Sequence, residues 1–192
     1  RVLFRSIDEK TIRDLHVGDE VSLSGILVTA RDAAHKYMMK NKPKWLTKLL
    51  KGTFVYHCGP VLTKKKGKWQ VLAAGPTTSI REEPYQGTVI QRFNLRGAIG
   101  KGGMGQGTLD ALNKNGAVYL HAVGGAAAVL AESIVEVVDV HMLEEFGAPE
   151  AFWVLRVEDF PAVVTMDSHG KSIHDEVQQK AEKKLKTILK RR

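Results

Sequence analysis

Apolar residues follow two different spacings along the chain, and these spacings predict strands and helices in turn. The segment EVSLSGILVTA has strand spacing interrupted by Gly25. The next segment, RDAAHKYMMKNK, has helical spacing, with Asp32 suited to the first turn and Pro43 ending the pattern. A short amphipathic lead-in, TIRDLHVGD, precedes both and closes on a Gly-Asp turn.

The rest of the chain repeats this alternation. Further strands are predicted in TFVYHCGPV, WQVLAAGP (entered through the polar hairpin turn KKKGKW), LRGAIG, AVYLHAV, SIVEVVDVHML, AFWVLRVEDF and PAVVTMD. Helices are predicted from Tyr85 to Phe93 behind Pro84, near Thr108–Asn113, in GGAAAVLAESI, and from Lys171 to Lys190. Strands alternate with helices in the middle and dominate the ends, which predicts one layered α/β or α+β domain over residues 1–192.

Composition narrows the class of protein. The 192 residues are 43% hydrophobic and 26% charged, without low-complexity tracts. No apolar run reaches the roughly 18–20 residues that a membrane span needs, and RVLFRSIDEK lacks a signal-peptide core. We therefore expect a soluble cytoplasmic protein without a membrane partner. Cys58 is the only cysteine, so these residues can form neither an intrachain disulfide nor a thiolate-rich metal site.

A net charge of +8 raises the possibility of an anionic partner. Much of the excess lies in KYMMKNKPKWLTKLLK and KAEKKLKTILKRR, both with helical spacing. A nucleic-acid-binding or scaffold module is therefore one alternative. Basic helical faces are more often simply solvated, and no motif with base-stacking aromatic residues accompanies these.

The loop GAIGKGGMGQG satisfies G-x-G-x-x-G but fits neither nucleotide-binding motif. A dinucleotide site needs an acidic residue roughly 20 positions further on, whereas Asp110 comes too early and Glu132 too late. A phosphate-binding P-loop needs Ser or Thr after the lysine, where this chain has Gly102. We interpret the loop as one whose glycines let backbone N–H groups and Lys101 approach another anion; the alternative is a purely structural turn.

Two further junctions each place a cation at a strand end. In AAGPTTSIR, Arg81 lies about one helical turn beyond the hydroxyls of Thr77 and Thr78, a combination that suits a carboxylate. In TARDAAH, Arg31 ends a strand and His35 follows four residues later. Because α/β proteins bind ligands at one edge of the sheet, these residues and Lys101 predict a site for a small polyanion, plausibly a dicarboxylate.

The segment MDSHGKS contains Asp167 and His169 and could belong to a Ser-His-Asp hydrolase. No G-x-S-x-G elbow accompanies it, so we interpret the segment as a plain turn.

These stretches together resemble a known family. The segments VGDEVSLSGILVTARDAAH, YHCGPV, AAGPTTSIR, GAIGKGGMGQG, VYLHAVGGAAA and EEFGAPEAFWVLRVEDFPAVVTMDSHG occur in the order and spacing of the β subunit of iron–sulfur-dependent class I fumarate hydratases, a pattern shared by the tartrate dehydratase β subunit. The resemblance covers roughly Thr11 to His174. It implies a β/β/α swivelling domain with a mixed sheet and flanking helices, and reversible hydration of fumarate to malate. In some relatives this unit is the C-terminal domain of a longer polypeptide.

The resemblance also implies roles for single residues. Arg31, Thr78, Arg81 and Lys101 match substrate-contacting positions, and Thr77 matches the threonine proposed to remove the C3 proton of malate. His35 matches a histidine of the same motif and is an acid/base candidate.

The [4Fe–4S] cluster of the family is held by three cysteines of the α subunit, so the resemblance implies no cofactor or metal ligand in this chain. Cys58 is then a core thiol. We expect a hetero-oligomer with a cluster-bearing α subunit, inactive without it. The substrate stays open between fumarate, tartrate and a related 2-hydroxy-dicarboxylate.

Overall fold

The computed structural model of the chain describes residues 2–3 and 7–189. Its strands are β1 Val2–Leu3, β2 Glu20–Thr29, β3 Phe54–Tyr56, β4 Val61–Lys65, β5 Lys68–Ala73, β6 Gly97–Gly100, β7 Val118–His121, β8 Ile134–His141 and β9 Phe152–Met166. Its helices are α1 Glu9–Arg13, α2 Asp32–Lys40, α3 Lys44–Leu50, α4 Glu83–Phe93, α5 Gln106–Asn115, α6 Ala127–Glu132, α7 Leu143–Phe146 and α8 Ile173–Leu189, with a 3-10 turn at Ser79–Glu82. Within these residues no helix is long and apolar enough to cross a bilayer.

Seven strands form one mixed sheet in the order β1-β2-β3-β6-β7-β9-β8. Strands β1, β2, β3, β6 and β7 pair in parallel, whereas β9 runs antiparallel to β2, β7 and β8. Because β2 pairs with both β3 and β9, the sheet closes upon itself. The expected α/β architecture with a mixed sheet and flanking helices is confirmed, while the β/β/α swivelling arrangement stays a prediction.

The two faces of the sheet bury two separate apolar cores, as the alternation of side chains along a strand requires. Along β3, Phe54 and Tyr56 point into the core enclosed by the sheet, and Val55 points into the core beneath helices α2 to α5. Cys58 continues the first set and is 1% exposed. Burial raises the pKa of its thiol to about 12, which confirms the interpretation of Cys58 as a core thiol.

Two predicted boundaries differ from the structure. Pro43 ends the first helical pattern as expected, but it also precedes the first residue of α3, which was not predicted. Prolines are tolerated where a helix begins, since the first amides have no helical partner.

One strand was predicted to end at Phe160 and the next to begin at Pro161, but the two form one continuous strand, β9. Asp159 has a φ of 49° there, and its N–H donates to Ser24 Oγ at 3.0 Å. The strand therefore bends at a bulge, which accommodates the proline. The last predicted helical residue, Lys190, lies outside the described residues.

Candidate functional site

The carboxyl ends of β2, β3 and β6 lie at one edge of the sheet because these strands run in parallel. Arg31 caps the start of α2 just beyond β2. His57 directly follows β3, and Lys101 directly follows β6. The chain thus places two of the three predicted cations at the ends of β2 and β6, on either side of β3.

The segment Pro76 to Ser79 lies between the ends of β3 and β6 and continues the sheet. The N–H of Thr77 donates to the carbonyl of His57 at 2.7 Å, and its carbonyl accepts from the N–H of Lys101 at 3.3 Å. The N–H of Ser79 donates to the carbonyl of Lys101 at 3.0 Å, and Thr78 forms a bridge with Lys101. Both threonines are therefore held beside Lys101.

The three cations differ in their existing partners. Arg31 Nε lies 3.4 Å from Glu150 Oε1, and the exposed Arg81 forms an ion pair with Asp32 of α2. Among the described residues, no carboxylate lies within ion-pair distance of Lys101. Lys101 is thus the cation with most to gain from an anionic ligand. We call Arg31, Thr77, Thr78, Arg81 and Lys101 the edge layer.

His35 does not belong to this surface. It lies on α2 with 0% exposure, and burial lowers the pKa of its imidazole. Its Nδ1 lies 3.0 Å from the carbonyl oxygen of Arg31, and its Nε2 lies 2.8 Å from Gln86 Oε1. The predicted acid/base residue thus lies one layer beneath the side chains that face solvent.

His35 is part of a group of buried polar residues that the sequence analysis left largely unassigned. We call this group the buried layer; each member is at most 1% exposed: His35, His57, Ser79, Glu82 and Gln86. Burial, aided by the neighbouring His35, lowers the pKa of His57 to about 3. The one signal for His57 in the sequence is its position next to a buried strand.

Several glycines of the loop lie directly against side chains from other segments. A side chain on Gly100 would collide with Ser79 Oγ, and a side chain on Gly103, which has a φ of +74°, would collide with the ring of His174. The N–H of Gly105 donates to Glu83 Oε2 at 2.8 Å, so this amide already has an anionic partner. These three glycines therefore admit side chains of the protein itself, while the interpretation of the loop as an anion-binding segment stays a prediction.

The MDSHGKS segment is the turn that we expected. Asp167 is fully buried, and its carboxylate accepts from the N–H groups of Val17, His169 and Lys171 at 3.2, 2.9 and 3.0 Å. The ring of His169 bonds to a backbone carbonyl and stacks on His16. Asp167 therefore organises the turn and does not orient a catalytic histidine.

A metal centre does not fit the described part of the chain. Within residues 7–189, no three or more His, Cys, Asp or Glu side chains are grouped so that they could hold an ion. The single cysteine faces the core enclosed by the sheet. These residues do not supply the thiolates of a [4Fe–4S] cluster, so a cluster would need ligands from outside them.

Residues 1–177 match the family described as Fumarase C-terminus. The chain belongs to this family. A protein of Geobacillus stearothermophilus, provisionally named a class I fumarate hydratase, is 54% identical over 180 residues, which are 93% of this chain but 34% of that protein. The chain thus spans about a third of that relative.

Two other relatives have nearly the same length as this chain. One, from Methanocaldococcus jannaschii and provisionally named an L(+)-tartrate dehydratase subunit beta, is 41% identical over 97% of both chains. The other, the L(+)-tartrate dehydratase subunit beta of Escherichia coli, is 34% identical over 90% of this chain and 86% of its own. The resemblance stated from the motifs is confirmed at the level of the family, and the names of the relatives support a hydro-lyase family.

Proposed function

We propose that the chain is the β-type part of a hydro-lyase that reversibly adds water to fumarate to give malate. The observation that carries the proposal is the edge layer, in which three cations and two threonine hydroxyls from separate segments lie at one end of the sheet. A small dicarboxylate offers two anionic groups to such a surface. The residues that form it lie within the part of the chain that matches the Fumarase C-terminus family.

The cations supply binding. Lys101, which lacks an ion-pair partner among the described residues, gives the strongest attraction to a carboxylate. Arg31 and Arg81 can grip a carboxylate with two N–H groups, a geometry that a lysine does not offer. Their pairing with Glu150 and Asp32 holds the guanidinium groups in place before a ligand arrives.

Thr77 is the proposed base for the C3 proton of malate. Backbone hydrogen bonds on both sides of Thr77 fix its position, and no described residue is a hydrogen-bond partner of its hydroxyl. A hydroxyl is a weak base unless positive charge or a neighbouring base assists it. The nearby Lys101 would stabilise negative charge on the threonine oxygen and on the substrate.

His35 has a supporting place in this proposal. Its ring is fully buried, so direct proton exchange with a substrate would require the buried layer to open. We assign it the role of a positioning residue, while its acid/base role stays a prediction.

The proposal includes a partner subunit that holds the [4Fe–4S] cluster, because these 192 residues contain one cysteine. The chain would be inactive alone and would work in a hetero-oligomer. The beta-subunit names of the two full-length relatives support this arrangement. The same relatives make L(+)-tartrate dehydration the second candidate activity.

Replacement of Thr77 in the complex tests the proposal. Thr77→Ala should reduce kcat for malate dehydration by about 100-fold or more, the scale of a lost proton-transfer group, with little change in dicarboxylate binding. Thr77→Ser keeps the hydroxyl and is the matched control. Retention of wild-type kcat by Thr77→Ala would remove the threonine from the mechanism.

A further inference from the structure

The buried layer forms one continuous chain of hydrogen bonds beneath the site. Gln86 lies at its centre, where Oε1 is 2.8 Å from His35 Nε2 and 2.9 Å from His57 Nε2. His57 Nδ1 is 2.8 Å from Ser79 Oγ, which also accepts from the hydroxyl of Tyr119 at 2.9 Å. All of these groups are removed from solvent, so their hydrogen atoms need partners within the protein; the Nε2 group of Gln86 is the member that has none among the described residues.

The carbonyl oxygen of Gln86 fixes the tautomers of both histidines. An amide oxygen only accepts hydrogen bonds, so His35 and His57 must each carry a proton on Nε2. Burial lowers the pKa of both rings, which leaves them neutral with a free electron pair on Nδ1. His57 Nδ1 therefore accepts from the hydroxyl of Ser79.

His35 Nδ1 also needs a donor, and only one group can provide it. Its two polar neighbours are the carbonyl oxygen of Arg31 at 3.0 Å, which cannot donate, and Glu82 Oε2 at 3.3 Å. Glu82 is 1% exposed, and its Oε2 has no hydrogen-bond partner among the described residues, while its carboxyl group also hydrogen-bonds with Asp32. An ionised Glu82 would place two acceptors opposite a third, whereas a proton on Glu82 can be donated to His35 Nδ1.

The charges around Glu82 support the same assignment. Its burial and the carboxylates of Asp32 and Glu150 oppose ionisation, and Arg81 and the ring of His35 are the other charged or titratable groups facing it. Burial, followed by the carboxylates of Asp32 and Glu150, raises the pKa of Glu82 to about 8 against the opposing effect of Arg81.

We propose that Glu82 is a neutral carboxylic acid whose proton orders the buried layer and thereby positions the catalytic edge. The proton orients His35 and, through Gln86 and His57, the hydroxyl of Ser79. The N–H of Ser79 in turn bonds to the carbonyl of Lys101, beside Thr77. Glu82 is thus a positioning residue, and its effect on turnover rests on the proposed function.

Nuclear magnetic resonance of the full chain tests the proton assignment without reference to catalysis. Spectra of ¹⁵N-labelled histidine at about pH 7 should show His35 and His57 protonated on Nε2, and the Glu82 carboxyl should titrate near pH 8. A Glu82 that is already ionised at about pH 6, or a His35 protonated on Nδ1, would overturn the proposal.

The pH profile of the active complex tests the positioning role. Wild-type kcat should fall above about pH 8, as Glu82 loses its proton. Glu82→Gln keeps an N–H donor towards His35, so its kcat should stay within about threefold of wild type and should not fall at high pH. Glu82→Leu has no donor, so its kcat should be lower than that of wild type by about tenfold or more. Glu144→Gln changes an exposed acid of α7 and should behave as wild type.

The two experiments separate the two ideas. A Glu82→Gln complex that follows the wild-type fall would overturn the positioning role. If the NMR assignments are as expected but no complex acts on a dicarboxylate, the proposed function is wrong and the protonation of Glu82 in the buried layer is still supported.

Discussion

The edge layer and the buried layer contain similar polar side chains but differ in how far the protein satisfies them. In the edge layer, the Thr77 hydroxyl and the Lys101 ammonium group find no partner among the described residues. In the buried layer, His57 has a partner on each ring nitrogen, and Glu82 Oε2 and Gln86 Nε2 are the buried atoms that have none among the described residues. Unsatisfied groups at a surface can be offered to a ligand, whereas buried groups must be satisfied by the protein. We therefore assign binding and chemistry to the first layer and positioning to the second.

The largest effect is expected for the unpaired cation of the edge layer. Lys101→Met should weaken dicarboxylate binding to the complex by about 2–5 kcal/mol, because a carboxylate would lose its charged partner. Calorimetric titration measures this loss, with Lys48→Met of the exposed face of α3 as the control. Equal affinity of Lys101→Met and wild type for the dicarboxylate would show that Lys101 does not bind the carboxylate.

A smaller effect is expected where the two layers meet. Gly100→Ala places a methyl group against Ser79 Oγ and should destabilise the fold by about 1–3 kcal/mol, the usual cost of overpacking. In a double-mutant cycle, Ser79→Ala should recover part of that loss because it removes the colliding oxygen. Urea unfolding measures all four proteins. Strictly additive changes would mean that Gly100 does not serve to admit Ser79.

The smallest effect is a pH dependence of stability that comes from the buried layer. His57 is stabilising in its neutral form above its ordinary pKa of 6.5, and this contribution is lost as the pH falls towards 3. Glu82 has the opposite sign: its contribution is full below its ordinary pKa of 4.5 and is lost as the pH rises towards 8. Between about pH 4.5 and 6.5 the two contributions change in opposite directions, so the free energy of unfolding should be greatest across that range.

Glu82→Gln separates the two limbs of that curve. It removes the titrating acid, so stability should no longer decline between about pH 6.5 and 8. The acid limb, which depends on the histidines, should remain. If the stability of Glu82→Gln declined above pH 6.5 as that of wild type does, another titrating group would cause the decline.

The positions of two edge-layer cations follow from transitions that local patterns identify. Arg31 and Lys101 each follow a strand of the parallel part of the sheet, and parallel strands bring such positions to one edge. Thr77 instead follows β5 of a separate two-stranded sheet and reaches this edge through its backbone bonds to His57 and Lys101. The chemistry expected of these residues stays a prediction. The relation of Arg81 to Asp32 was not predicted, because that ion pair joins residues 49 positions apart.

The buried layer could not be assigned from the sequence for a physical reason. Gln86 bonds to His35 and His57, which precede it by 51 and 29 positions, and no local spacing reports such contacts. The glycine loop shows the same limit: Gly100 is explained by Ser79, on a different segment. Strands and helices follow from short-range patterns, whereas a hydrogen-bonded interior depends on which elements the fold brings together.

The most direct test of the central claim compares the isolated chain with its complex under anaerobic conditions. We expect a cysteine-bearing partner to co-purify with the chain, and the complex to turn over fumarate, mesaconate or tartrate while the chain alone does not. The substrate turned over fastest would identify the physiological dicarboxylate class. Hydration of fumarate by the isolated chain without iron, or a stable complex inactive on all three compounds, would contradict the account.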